Sequence, residues 1–151
     1  MISIRDLTTI GYHLTASAIV ICENKVLLLY HEKLKAWAQP GGHVEFGELP
    51  QFTCIREVFE ETGIKVEHIN PTFKLNSQDL QFLIKPLTMQ IVESVENQVR
   101  VFHLDFVYLC KPVNISPFTI DKAKVKWVEI ANLKQYCLAK NVLELINLAI
   151  S

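Results

Sequence analysis

The chain has 151 residues, half of them hydrophobic, and 15 Lys and Arg stand against 16 Asp and Glu for a net charge of −1. That much apolar content excludes a disordered chain, and the near-zero balance excludes a large nucleic-acid-binding surface. The length suits one domain over residues 1–151, large enough to build a core without disulfides or structural metal.

Residues 1–13 form an N-terminal extension in which Ile4, Leu7 and Ile10, three apart, predict a short helix over residues 2–10. Leu14–Cys22 and Val26–His31 predict strands joined by a Glu23-Asn24-Lys25 turn, and their unbroken apolar runs predict burial on both faces. A Gly41-Gly42 loop and an acidic helix from about Leu49 to Thr62 follow, then a strand near Ile64 to His68 and a turn-rich stretch from Pro71 to Ser77. Gln81 to Ser94 supplies one or two strands interrupted at Pro86. Val99 to Cys110 is a long strand, with Val101, His103, Asp105 and Val107 on one side and Phe102, Leu104, Phe106 and Tyr108 on the other. Val125 to Ile130 is a further strand, and Leu138 to Ile150 carries helical periodicity. Strands with helices on both sides give an α/β/α sandwich around a mixed central sheet.

Four cysteines, Cys22, Cys54, Cys110 and Cys137, show no C-x-x-C spacing and are expected as buried or half-buried reduced thiols, which suits the cytoplasm. The start lacks the basic and apolar segments of a signal peptide. The longest uncharged apolar stretch, Leu14–Cys22, is too short to span a membrane.

The segment that carries chemistry is residues 42–64, GHVEFGELPQFTCIREVFEETGI. Gly42, Glu48, Arg56, Glu57, Glu60, Glu61 and Gly63 fit G-x5-E-x7-R-E-U-x-E-E-x-G-U, with aliphatic Val58 and Ile64 at the U positions. Helical spacing puts Glu57, Glu60 and Glu61 on one face and predicts a docking stripe of Phe52, Ile55, Val58 and Phe59 on the other. Pro50 suits the first turn, and Gly63 a left-handed C-cap. Three carboxylates on one face repel one another, and an oxygen-only set suits a hard divalent ion, Mg2+ or Mn2+. Such an ion bridges to phosphate oxygens, neutralises charge and acidifies water. A solvated acidic helix face is the plain alternative; Gly41 and Gly42 directly upstream weigh against it, because adjacent glycines let a backbone carbonyl approach an ion closely. No G-x4-G-K-[ST] phosphate loop occurs.

This spacing resembles the Nudix hydrolases, and the resemblance extends over roughly Leu14 to Ile150. It implies the same sandwich fold and metal ligation by Glu57, Glu60, Glu61 and the Gly41 carbonyl, with one of the three acids also orienting or deprotonating water. It implies that Glu48 and Arg56 form a supporting salt bridge, with Gly42 and Gly63 shaping the loop–helix–loop. Glu45 matches an acid present in many relatives. The general base varies within the family; Glu93, Glu96 and Asp105 are the candidates. Dimers are frequent among relatives, so a homodimer is expected.

Substrate choice lies elsewhere. Trp37 precedes the glycine loop and could stack a base, as could Tyr30, Phe82, Phe102 or Tyr108, although aromatics more often fill cores. Trp127 reads as core. His31 and His43 flank the loop and could meet phosphate; His103 and Asp105 could point into a cleft; His13 and His68 read as surface residues. Asp79, Leu80, Gln81 and Phe82 stand where some relatives carry a substrate-marking proline or tyrosine, so neither marker is present. The leading expectation is a metal-dependent pyrophosphohydrolase acting on a nucleoside diphosphate linked to another moiety: a nucleotide sugar, an ADP-ribose-like compound, a dinucleoside polyphosphate or a nucleoside triphosphate. A sensor domain that binds such ligands without hydrolysis is the alternative, and an isoprenoid-diphosphate isomerase lacks an evident acid/base pair.

Overall fold

Two long strands running side by side organise the molecule. The computed structural model describes residue 2 and residues 11–69, 83–114 and 124–151. Among the described residues the order is β1 (His13–Cys22), β2 (Lys25–His31), β3 (Ala36–Ala38), β4 (Gly41–His43), α1 (Pro50–Thr62), β5 (Val66–His68), β6 (Thr88–Glu96), β7 (Val99–Pro112), β8 (Val125–Glu129), a 3-10 turn over Ile130–Gln135, and α2 (Val142–Ile150). The N-terminal helix, the Pro71 to Ser77 turn and Phe82 lie outside the described residues.

β1 and β7 pair in parallel from His13↔His103 to Val20↔Cys110, and the other strand-to-strand ladders among the described residues are antiparallel. Each of the two central strands is too long for one neighbour on its outer edge. β4 pairs with the first half of β1 and β2 with its end, while β6 and β5 divide β7 in the same way. β3 and β8 extend the sheet from β2.

Side-chain alternation sorts β1 into two cores. Ala16, Ala18 and Val20 lie under α1 with Cys54, Val58, Tyr108 and Cys110, whereas Ile19 lies under α2 with Val107, Val142, Leu145 and Ile146. Helices thus cover both faces, as expected, with Ala16 to Val20 buried on both sides.

α1 starts at Leu49 without a side-chain cap, a deficit of about 1 kcal/mol. Complete burial of Val58, together with that of Cys54, contributes more than this, at about 1.5–3 kcal/mol for an aliphatic side chain, so packing fixes the helix. Gly63 ends it in the left-handed region (φ 77°), its N–H donating to the Phe59 carbonyl at 2.8 Å.

The docking stripe differs from the expected one. Gln51, Cys54, Val58 and Thr62 face the sheet, and Phe52 and Phe59 are exposed. At 100° per residue the line 51-54-58-62 is a single ridge, and the two phenylalanines, seven apart, share a line beside it. Gln51 is tolerated inside because its Oε1 accepts the Ile84 N–H at 2.8 Å. Cys137 is exposed, against the expectation of burial, and His68 is half-buried on the Tyr108 ring rather than on the surface.

Candidate functional site

The acidic site grows from the contact between β4 and α1. Gly42 sits so close to α1 that a Cβ there would fall inside contact distance of the Glu57 carboxylate. The next glycine is needed for a different reason: a Cβ on Gly41 would lie 2.7 Å from the Ser17 Cα. The Gly41 N–H donates to Glu61 Oε1 at 2.9 Å, which ties the helix acids to the loop.

Arg56 bridges the cluster. Its Nε and Nη2 donate to the two oxygens of Glu48 at 3.0 and 2.9 Å, and Nη1 donates to Glu57 at 2.7 Å and Glu60 at 3.1 Å. Nη2 also holds the His43 carbonyl at 3.1 Å, so one guanidinium joins the loop to three acids. Glu48 takes a further hydrogen bond from the Thr53 hydroxyl at 2.7 Å. The Arg56 hydrogen bonds hold the Glu48 carboxyl down at about 2. Glu61 shifts the opposite way. Crowding away from water pushes it up to about 7, outweighing the Gly41 N–H, and the charges of Glu57 and Glu60 add to the rise. Glu45 is exposed and stands 3.9 Å from Arg56.

The other side of β4 opens into a cleft of about 370 Å³ lined by Thr15, Ser17, Gln39, Gly41, Gln90 and Asn141, among others. Strand register explains it. Thr15 pairs with both His43 and Asp105, and Ser17 with Gly41, so their side chains share one face. Beyond Ser17 that face becomes apolar and lies under α2; before it the face is polar and open. Asp105 is buried on the cleft floor and accepts hydrogen bonds from Ser17 at 2.8 Å, Gln90 at 3.0 Å and Thr15 at 3.1 Å. Those three donors occupy it as an anchor. Gln90 in turn accepts from Asn141 at 2.7 Å, fastening the start of α2 to the floor. Gln39 Oε1 is buried without a hydrogen-bond partner among the described residues.

The remaining sequence candidates fall on both sides of this division. His43 and His103 line the cleft with Glu96 and His31. Glu93 pairs instead with Arg100, outside the cleft lining. Trp37 is not among the cleft residues: it packs edge-on against Tyr30 and Tyr136, with Lys126 over its ring, beside the α2 core. Phe102 and Tyr108 are buried, and Trp127 packs against the α1 core. His13, read as an ordinary surface residue, is exposed but lies 5.5 Å from the His43 ring and 5.7 Å from that of His103. Sequence reading missed Thr15, Ser17, Gln90 and Asn141. Hydroxyls two apart in the otherwise apolar β1 were the available signal; nothing local marks the other two.

No helix among the described residues is long and apolar enough to cross a membrane. The sequence and the fold have counterparts in known proteins. A probable DHNTP pyrophosphohydrolase of Lactococcus lactis subsp. cremoris is 34% identical over 96 residues, covering 64% of this chain and 52% of that protein. An RNA pyrophosphohydrolase of Psychromonas ingrahamii is 36% identical over 53 residues, covering 34% and 29%. The chain thus spans about half the length of the first relative and less of the second. A crystal structure of a NUDIX-family hydrolase from Clostridium perfringens superposes with a TM-score of 0.72 at 31% identity, covering 91% of this chain and 94% of that one. The family model of the NUDIX domain matches residues 11–147, most of the chain. On that match, the chain belongs to the Nudix family.

Proposed function

We propose that the protein is a divalent-metal-dependent hydrolase that cleaves the pyrophosphate linkage of a nucleoside diphosphate joined to another moiety. The observation that carries this reading is the cradle: Gly42 leaves room for the Glu57 carboxylate where any side chain would fill it, Arg56 joins Glu57 to Glu60, and the Gly41 N–H holds Glu61. The donor set is all oxygen, which fits Mg2+ or Mn2+ better than a softer ion. Glu57, Glu60, Glu61 and the Gly41 carbonyl would hold it. When bound, such an ion supplies charge neutralisation for the phosphates and acidifies a water.

The chain's own groups do the rest. Arg56 fixes the directions of Glu57 and Glu60 through one nitrogen. Glu61, whose carboxyl is pushed up to about 7 by desolvation while no ion is bound, must give up its proton for an ion to take the site. The other three candidate acids are all engaged, Asp105 by Ser17, Glu93 by Arg100 and Glu96 by His103. The polar floor of Thr15, Ser17 and Gln90 suits the linked moiety, and the unpartnered Gln39 oxygen favours a group that donates N–H or O–H, as base amino groups and ribose hydroxyls do. The name of one relative adds DHNTP, a pterin triphosphate, to the first substrates to try.

The test is a panel of nucleoside triphosphates, dihydroneopterin triphosphate, ADP-ribose and dinucleoside polyphosphates incubated with Mg2+, with products read by mass spectrometry. Release of phosphate, pyrophosphate or a nucleoside monophosphate from one panel member supports the proposal. Tight binding without product in every case overturns it in favour of a sensor.

A further inference from the structure

Across β4 from the acids, four side chains from four strands meet: His13 opens β1, His43 closes β4, Glu96 closes β6 and His103 stands within β7. Each offers one ligand atom, and all four atoms lie within 4.8 Å of one another. The three rings are mutually close, with centroids 5.2–5.7 Å apart. His103 Nε2 stands 3.2 Å from Glu96 Oε1, and its other ring nitrogen faces the Ser94 hydroxyl at 3.3 Å. We propose that His13, His43, His103 and Glu96 form a second cation site, nitrogen-rich and selective for a transition-metal ion such as Zn2+ over Mg2+.

Donor chemistry decides the ion. Imidazole suits Zn2+, whereas Mg2+ demands oxygen ligands and gives up its waters reluctantly. Three imidazoles and a carboxylate fill a tetrahedral shell, with ligand atoms about 2.0–2.1 Å from the metal. At that radius neighbouring donors stand roughly 3.3 Å apart, a spacing His103 and Glu96 already have, so the more distant pairs must draw in by up to about 1.5 Å. His13 and His43 are exposed and Glu96 is partly so, which leaves their side chains free to turn, while pairing of His13 with His103 holds the backbones together. Ser94 supplies the outer partner that orients a ligating imidazole. The acids of α1 lie on the opposite side of β4, reached through the Gly41–Gly42 backbone, so the two sites take different ions independently. An ion here would place positive charge on the cleft wall beside the polar floor.

Metal-stripped protein is titrated with Zn2+ by calorimetry in excess Mg2+, alongside His13→Ala, His43→Ala and the triple variant Glu57→Gln/Glu60→Gln/Glu61→Gln. One Zn2+ equivalent is expected in the parent and in the acid variant, and removal of either histidine should weaken it at least about a hundredfold. Co2+ in the same site should give the strong visible absorption of a four-coordinate nitrogen-ligated ion, lost in both histidine variants. Both histidines are exposed, so their loss leaves the fold intact, checked by circular dichroism. Unchanged Zn2+ affinity in the two histidine variants overturns the proposal. So does loss of binding in the acid variant, which would put the zinc among the α1 carboxylates.

Discussion

The two sides of β4 differ in how they are assembled. Toward α1, Glu48, Arg56, Glu57, Glu60 and Glu61 come from one loop and one helix, and helical spacing together with the short loop before it brings them together. Toward the cleft, Asp105 receives its hydroxyl donors from residues 90 and 88 positions away, and the histidines come from three strands. The first side is a local device and the second a product of sheet register. A three-residue strand, Gly41–His43, divides them, since successive residues point to opposite faces. Chemistry that depends on spacing therefore sits on one side, and chemistry that depends on topology on the other.

The comparison is sharpest for the acids, where the largest effect is expected. Glu60→Gln or Glu61→Gln should lower kcat by about a hundredfold or more, since each removes a charged donor without changing shape. Steady-state hydrolysis by a folded variant is the readout, and turnover within about twofold of the parent would remove these acids from the mechanism.

The adjacent glycines provide the next contrast. Gly42→Ala meets only the far end of the Glu57 side chain, which can swing away. The cost should fall on activity, by about ten- to a hundredfold, with little change in melting temperature. Gly41→Ala instead meets the Ser17 backbone and the Ala16 carbonyl, which cannot move without disturbing β1. Its cost should appear as stability, about 1–3 kcal/mol by chemical denaturation. Equal loss of stability in both variants would contradict the cradle.

The same division governs what could be read in advance. The helix from about Leu49 to Thr62 and the longer strands were legible because each depends on neighbours within a few residues, whereas β3 was not read and Gly41–His43, expected as a loop, is strand β4; the pairing of Arg56 with Glu48 came from the family resemblance. The face of β7 carrying His103 and Asp105 was legible too, by simple alternation. Its partners were not. That His13 would stand beside His103 follows from a parallel pairing with no trace in either strand taken alone. Phe52 and Phe59 misled because the most apolar residues were taken as the centre of the stripe: the buried ridge is rotated toward Gln51 and Thr62, whose polar groups are satisfied there. Trp37 stood next to the glycine loop in sequence, yet β3 turns it toward Tyr136 and the second core.

Arg56→Ala tests the join between loop and helix. It removes hydrogen bonds to Glu48, Glu57, Glu60 and the His43 carbonyl at once, all part-exposed. A loss of about 1–3 kcal/mol is expected along with reduced activity. Arg56→Lys should restore little, since an ammonium cannot hold both Glu48 oxygens and reach Glu57 as the planar fork does. Normal stability with lost activity would make Arg56 a substrate contact instead.

The smallest effect concerns protons. Glu61 keeps its proton to about 7 in the folded, metal-free protein, against an ordinary value of 4.5. Between those values the folded state binds a proton that the unfolded state has released, so this group makes stability fall as pH rises through the window and level off above about 7. A divalent ion needs the carboxylate. Below about pH 7 it must displace the proton, and above it the site is already charged. Stabilisation by saturating Mg2+ should therefore grow from about pH 5.5 to about pH 7.5 and then flatten, read as the shift in melting temperature with and without the ion. Glu61→Gln should lower the Mg2+ shift and remove its rise across that range. Glu48, already held at about 2 by Arg56, should contribute no slope there, its own stabilisation fading only as pH drops from 4.5 toward 2. A Mg2+ shift independent of pH in the parent protein would mean that Glu61 is not among the metal's ligands, leaving Glu57 and Glu60 to hold it with the Gly41 carbonyl.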